Sequence, residues 1–324
     1  MTEVIVLDVG HGNSAIVKGP DVNVVIDAPL GPLIVEALRE EQIEEVVAAL
    51  ASHSDADHLG GMISLLLAPD IVVREVRCNP DSVRRSQFWG DFKFAVRHAK
   101  NTHGTRLRTE LTAETSVDLV YGDLAIDVLS PPSDLAVDGV GGRTAEGRAI
   151  VANAMSAVLC VRWAGEPLVV FAADLDRAGL DRLIEDDTDL RARVLVFPHH
   201  GGIPGGRPSD DVLRDFARQL TERVQPETIV FSFARMRFHN PQPAIVEGVR
   251  QAAPEAHIAC TQLSRRCSDE LLNSDAHLAA RFAAGRPRGS CCAGTLVVRP
   301  GAATAPERTA HEAAIVALGN RLCG

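Results

Sequence analysis

The chain has 324 residues, 46% of them hydrophobic, enough to bury a full core in one large domain or one domain with an appendage. Its net charge of −10, from 33 basic and 43 acidic side chains, is not that of a general polyanion binder, and no apolar run approaches the ~18 residues needed to cross a bilayer. The first residues enter a strand without a basic leader and the seven cysteines are an odd number, so a soluble cytoplasmic protein with reduced thiols, not attached to a membrane, is expected.

Apolar patterning predicts strands at 3–9, 14–18 and 23–27, a helix over 31–41 and a strand at 45–51. That strand runs into His53-Ser54-Asp55-Ala56-Asp57-His58-Leu59-Gly60-Gly61. On an extended backbone His53, Asp55 and Asp57 share a face, His58 follows at a turn, and the two glycines let the chain bend close to an ion. Imidazole suits Zn, Fe or Mn, whereas carboxylate oxygen favours harder ions and bridges them, so Asp55 makes Mn a competitor of Zn. One such loop can serve two ions.

Helix is predicted over 59–68 and 81–100. Between residues 74 and 108, nine basic side chains (Arg74, Arg77, Arg84, Arg85, Lys93, Arg97, Lys100, Arg106, Arg108) face three acidic ones (Glu75, Asp81, Asp91), a local charge of +6 interleaved with Phe88, Trp89, Phe92 and Phe94. Two readings stay open. The segment is a substrate arm in which cations such as Arg84, Arg85 and Lys93 track phosphates while aromatics stack on bases, or an amphipathic helix with Phe88, Phe92 and Val96 on the core and the cations solvated.

Strands follow at 117–120, 124–129, 155–163 and 167–172, with a Gly- and Asp-rich surface loop at 134–148. Helix 177–185, strand 193–197, helix 209–223, strand 228–232, helix 242–252 and an apolar strand at 293–299 complete the pattern. This order predicts an α/β protein, an αββα sandwich of two mixed sheets flanked by helices, spanning residues 1–300. Residues 301–324 form a tail with a helix over Glu307–Leu322. Asp174 and His200 each follow a buried-strand pattern, so both emerge at strand ends. Cys260, Cys267, Cys291 and Cys292 would form a tetrahedral zinc site if their segments lay side by side, with His277 able to replace one thiolate. Small buried apolar residues or a redox pair are equal alternatives.

The loop at 53–61 resembles the His-x-His-x-Asp-His signature of the metallo-β-lactamase-fold hydrolases. More narrowly, it resembles the His-x-Asp-x-Asp-His-x-Gly-Gly variant of the ComEC-type hydrolase domain of DNA-uptake channel proteins. Leu7-Asp8-Val9-Gly10-His11-Gly12-Asn13-Ser14 is similar to that family's Leu-Asp-Val-Gly-Gln-Gly-Asp-Ser opening, Val25-Ile26-Asp27 to its second strand, and Asn153-Ala154-Met155-Ser156 to its Asn-x-x-Ser element. Ala173-Asp174-Leu175, Pro198-His199-His200-Gly201-Gly202 and Phe238-His239-Asn240-Pro241 resemble its Gly-Asp-Leu, His-His-Gly and Tyr-Gly-His-Pro elements, so the similarity runs over roughly residues 3–250.

The resemblance implies that Asp174 bridges two divalent ions, Zn or Mn, one held with His53 and Asp55 and the other with Asp57, His58 and His200. Asn153 stands where the superfamily usually supplies a third histidine to the first ion, and Asn153 and Ser156 are candidate substrate contacts. The expected reaction is phosphodiester hydrolysis by an activated hydroxide that Asp57 orients, with His199 or His239 serving the leaving oxygen; the resemblance implies DNA, single-stranded, as the substrate, and a nucleotide or a cyclic dinucleotide fits the same chemistry. A structural role for His239 is equally open. Alternatives are a hydrolase of lactam, lactone or thioester bonds on the same fold, and a metal-stabilised regulatory subunit that docks a protein partner through its C-terminal region.

Overall fold

Side-chain alternation splits the central strands between two cores: Val4 and Val6 point into one, Ile5 and Leu7 into another. The computed structural model describes residues 1–324 apart from 80–86, 144–146, 148, 205, 207, 273, 317, 319–321, 323 and 324. Its first sheet runs in spatial order Leu296–Val298, Glu3–Val6, Ala15–Lys18, Asn23–Ile26, Ala48–Ala51, Glu75–Cys78 and Arg106–Arg108. Pairing is antiparallel as far as Asn23–Ile26 and parallel beyond it. The second sheet runs His257–Cys260, Thr228–Phe231, Val194–Val196, Glu166–Phe171, Val158–Trp163, Leu124–Ser130 and Val120–Tyr121, parallel over its first four strands and antiparallel over the rest.

The two sheets face each other across a core containing Val17, Ile26, Leu50, Ile126, Val169 and Val196. Helices Leu33–Glu40, Gly61–Leu67 and Gln87–His103 cover the outer face of the first sheet, and Arg177–Glu185, Asp210–Val224 and Pro243–Ala252 that of the second. The layers are therefore α, β, β, α, the expected sandwich. The helix Arg308–Val316 in the C-terminal segment also packs on the second sheet's outer core, through Ile315 and a fully buried His311.

Several elements depart from expectation. The strand expected at 117–120 is taken up largely by a 3-10 turn, Ala113–Asp118, with strand pairing confined to Val120–Tyr121, and Ser133–Asp138 is a short helix overlapping the predicted loop. Glu75–Cys78 was not legible as a strand because two of its four residues are charged. Arg77 is nevertheless buried there, its Nε donating to Glu75 Oε1 at 2.6 Å, so the charges satisfy one another inside the sheet. Along Gln87–His103, Phe92 and Val96 are buried with Phe88 and Trp89 packed against the same core, while Lys93, Phe94 and Arg97 face outward. The amphipathic-helix reading describes this segment; Arg84 and Arg85 lie outside the described residues. Among the described residues no helix is long and apolar enough to cross a membrane.

Candidate metal centre

Four parallel strands deliver the site, each from its C-terminal end. In the first sheet Asn23–Ile26 leads to Asp27 and Ala48–Ala51 leads to Ser52 and His53; in the second, Glu166–Phe171 leads to Asp174 and Val194–Val196 to His199 and His200. Loops at the carboxyl ends of parallel strands converge on one edge.

The alternation expected for His53, Asp55 and Asp57 breaks at Ala56, where the chain becomes helical through Leu59. On a helical turn Asp57 and His58 point about 100° apart, so they face different neighbours. His58 Nε2 lies 3.3 Å from Asp174 Oδ1, and His53 Nε2 lies 3.5 Å from Asp174 Oδ2. Asp57 Oδ2 lies 3.3 Å from His11 Nε2 and 3.5 Å from His200 Nε2. Two triads result, His53–His58–Asp174 and His11–Asp57–His200, each with its donor atoms within 4.8 Å of one another. They adjoin, since the rings of His58 and His200 are 5.4 Å apart. Geometry thus groups His58 with His53 rather than with Asp57 and His200. Asp55 stays at the edge, its side chain 43% exposed and its Oδ2 3.8 Å from His53 Nε2.

The donors are suited to cations. His53 Nε2, His58 Nε2, Asp174 Oδ1 and His200 Nε2 are buried without a hydrogen-bond partner, an arrangement that is unfavourable unless something positive meets them. A divalent pair therefore fits these residues: His53, His58 and Asp174 would hold one ion and His11, Asp57 and His200 the other. The triads are held from behind. Asp27 accepts from the Ser52 N–H at 2.7 Å and from its hydroxyl at 2.8 Å, and its Oδ2 is 2.8 Å from His58 Nδ1, the carboxylate–histidine support usual for metal ligands. Ser156, fully buried, accepts from the Asp174 N–H at 3.0 Å, and its Oγ is 3.4 Å from His53 Nδ1.

Backbone strain accompanies this convergence. Asp27, Ala173, His199 and His200 all have positive φ, 46° to 57°, a conformation costing of order 1 kcal/mol or more per non-glycine residue. Gly12 brings His11 in: at φ +128° it packs so closely that an added Cβ would lie 2.5 Å from the Asp57 carbonyl oxygen. Burial by itself would raise the Asp57 carboxyl, yet the imidazoles of His11 and His200 close beside it hold it far below the usual carboxylate range. Asp174 is likewise kept ionised, its burial outweighed by His199, His58 and His53.

The centre opens into a cavity of about 550 Å³ lined by His11, Asp57, Asp174, His199, His239 and Arg266 among others. His199 Nδ1 is 3.3 Å from Asp174 Oδ2, and His239 is exposed at the rim. Three expected contacts lie elsewhere. Ser156 is enclosed among the donors and cannot meet a substrate, Asn153 does not line the cavity, and Lys93 sits on the outer face of its helix. The four cysteines do not gather either: Cys291 turns away, donating to Asp8 Oδ2 at 3.4 Å, whereas Cys260, Cys267 and Cys292 pack in the second sheet's outer core. Among the described residues the two triads are the only groups of three or more such donors at metal-binding spacing.

Three residues escaped sequence reasoning. His11 had a readable signal, a histidine between two glycines straight after the first strand. Asp27 showed only as the end of an apolar strand, and Arg266 carried no signal at all, being one of many arginines.

Residues 7–228 match the model of the metallo-beta-lactamase superfamily, more than half of the chain. The chain belongs to that superfamily. Solved structures similar to this metallo-β-lactamase-fold protein include Igni18, a metallo hydrolase from the archaeon Ignicoccus hospitalis, at 15% identity and TM-score 0.45 over 80% of this chain and 95% of that one. Another is the metallo-beta-lactamase fold protein YhfI from Bacillus subtilis, at 8% identity and TM-score 0.47 over 80% and 96%. A diphosphatase of the PhnP family matches at 12% identity and TM-score 0.41 over 72% and 87%. No curated protein matches the chain.

Proposed function

We propose that this superfamily member is a phosphodiesterase that works with two divalent ions, Zn or Mn, on DNA or nucleotides. The observation that carries the reading is the pair of adjoining triads with unpartnered buried donors, opening on a cavity whose lining includes the cation Arg266. A guanidinium facing the cavity suits an anionic phosphoryl group better than a neutral lactam or lactone. The ordered similarity to the ComEC-type hydrolase domain favours DNA among phosphodiesters.

When bound, two divalent ions supply charge neutralisation at phosphoryl oxygens and a lowered pKa for water. The protein's own residues set the geometry. Asp57, ionised between His11 and His200, orients the attacking group, and Arg266, with Nε on the His239 carbonyl at 2.6 Å and Nη2 on Gln242 Oε1 at 3.0 Å, is held ready for a phosphate oxygen. His199 touches Asp174 and His239 stands at the rim, so either can deliver a proton to the leaving oxygen.

The test is titration of Mn and Zn into metal-stripped protein while following a chromogenic phosphodiester, a chromogenic ester and labelled single- and double-stranded DNA. Metal-dependent phosphodiester turnover that Asp57→Ala abolishes is expected. Ester cleavage alone, or an Asp57→Ala protein with unchanged turnover, would falsify the proposal.

A further inference from the structure

Phe238 stands at the mouth of the metal cavity, 59% exposed, with its ring 4.8 Å from that of His11. Exposure forgoes the favourable transfer that usually keeps phenylalanine inside. Its backbone lies at φ +61°, a region rare and strained for a bulky side chain. Two local penalties in one residue, at the entrance to the site, are accounted for if a flat ligand covers the ring.

The surroundings say which ligand. Arg237, also exposed, has its guanidinium 5.5 Å from the Phe238 ring centroid, a group that stacks on a base or pairs with a phosphate equally well. Arg266 lines the same cavity as Phe238, and among the described residues it makes no ion pair with a carboxylate. Beyond the Ala234–Met236 turn lies a second concavity of about 860 Å³, lined by Met236, which is 78% exposed, by Arg288, and by Arg265, whose Nη2 is 3.1 Å from the Asp269 carboxylate; Glu36 lines it too. The exposed run Met236, Arg237 and Phe238, with Met236 lining one concavity and Phe238 the other, thus alternates apolar, cationic and apolar side chains. This alternation matches a chain whose flat bases alternate with phosphates.

We propose that Phe238 is the stacking platform of a nucleobase subsite, so that the ligand of this cavity is an unpaired nucleotide strand passing from the metal centre over Phe238 towards Met236. The inference rests on the phosphodiesterase reading; a single-stranded substrate is already what the ComEC-type resemblance implies, and what the geometry adds is the residue that takes the unpaired base, because a base held in a duplex cannot leave the stack to cover the ring without added cost.

The test uses the full chain loaded with Mn. Binding of a fluorescein-labelled, phosphorothioate-linked oligothymidylate, which resists hydrolysis, is measured by anisotropy against the same strand annealed to its complement. Turnover of bis(p-nitrophenyl) phosphate is followed in parallel. Phe238→Ala is expected to weaken single-strand binding by about tenfold or more, the size of one base–aromatic stack, while Phe238→Trp retains it. The duplex is expected to bind more weakly than the single strand. An unchanged dissociation constant in Phe238→Ala, equal affinity for duplex, or no single-strand binding by the wild type overturns the subsite. Intact Phe238-dependent binding without turnover of any phosphodiester overturns the hydrolytic reading instead and leaves the stacking site standing.

Discussion

Two regions of this molecule are rich in the same side chains and differ in what those side chains are doing. At the candidate metal centre the inward-facing Nε2 atoms of His53, His58 and His200 and one Asp174 oxygen have no hydrogen-bond partner. Under the C-terminal helix, His257 Nε2 is 2.8 Å from His311 Nδ1, and His311 Nε2 is 3.2 Å from the Cys292 sulfur. His277 Nε2 meets the Cys292 carbonyl at 2.6 Å, so this second cluster closes largely on itself. Burial pushes the Cys292 thiol up to about 12, which keeps it protonated and a poor ligand. Buried histidines and cysteines alone do not make a metal site; donors left without hydrogen bonds and facing a cavity do.

The contrast is sharpest in single-residue changes. Replacing Asp57 or Asp174 with alanine should remove bound divalent ions and lower phosphodiester turnover by more than the ~100-fold that loss of a supporting residue brings, as read by elemental analysis and steady-state rates. Asp27→Asn, one step behind His58, should weaken metal affinity by about 10–100-fold, measured by competition with a chromogenic chelator. In the other cluster, Cys292→Ala should leave metal content and turnover unchanged while lowering stability by ~1–3 kcal/mol in urea, because it frees a buried imidazole. A loss of one bound ion in that variant would erase the distinction.

Acid separates the regions too. Burial depresses His257 to about 4 and His311 to about 3 in the folded chain, below the ordinary histidine value. The unfolded chain therefore takes up protons that the folded one refuses, so their contribution is intact above about pH 6.5 and declines as pH falls towards 4 and 3. Between about pH 7 and about pH 5 the urea midpoint should drop by an amount worth roughly 2 kcal/mol or less per histidine, and the drop should shrink in His257→Gln. The smallest effect is expected on the basic helix: Lys93→Ala, on an outward face away from the cavity, should change DNA cleavage by no more than ~2-fold, as a single solvated charge does. A larger loss would restore the substrate-arm reading.

Much of this was legible in one dimension. Alternating apolar residues such as Val4 to Leu7 and Val24 to Ile26 encode strands with two buried faces, and that periodicity is local, so it survives in the sequence. The donor-rich loop at 53–58 and the strand-end positions of Asp174 and His200 were legible for the same reason. The strand Glu75–Cys78 was not, because burying its Glu75 and Arg77 relies, beyond their own pairing, on Arg108 and Asp118, whose positions the local pattern does not contain.

Which donors share a neighbour was decided only by the tertiary structure. A single helical turn beginning at Ala56 sends Asp57 and His58 in different directions, Gly12 lets His11 approach Asp57 from another strand, and Cys291 diverges from the adjacent Cys292 towards Asp8. Arg266 reaches the cavity from outside residues 7–228 altogether. Side-chain identity and spacing are properties of the chain, whereas the direction in which a strand-end side chain points depends on the distant backbone that packs against it.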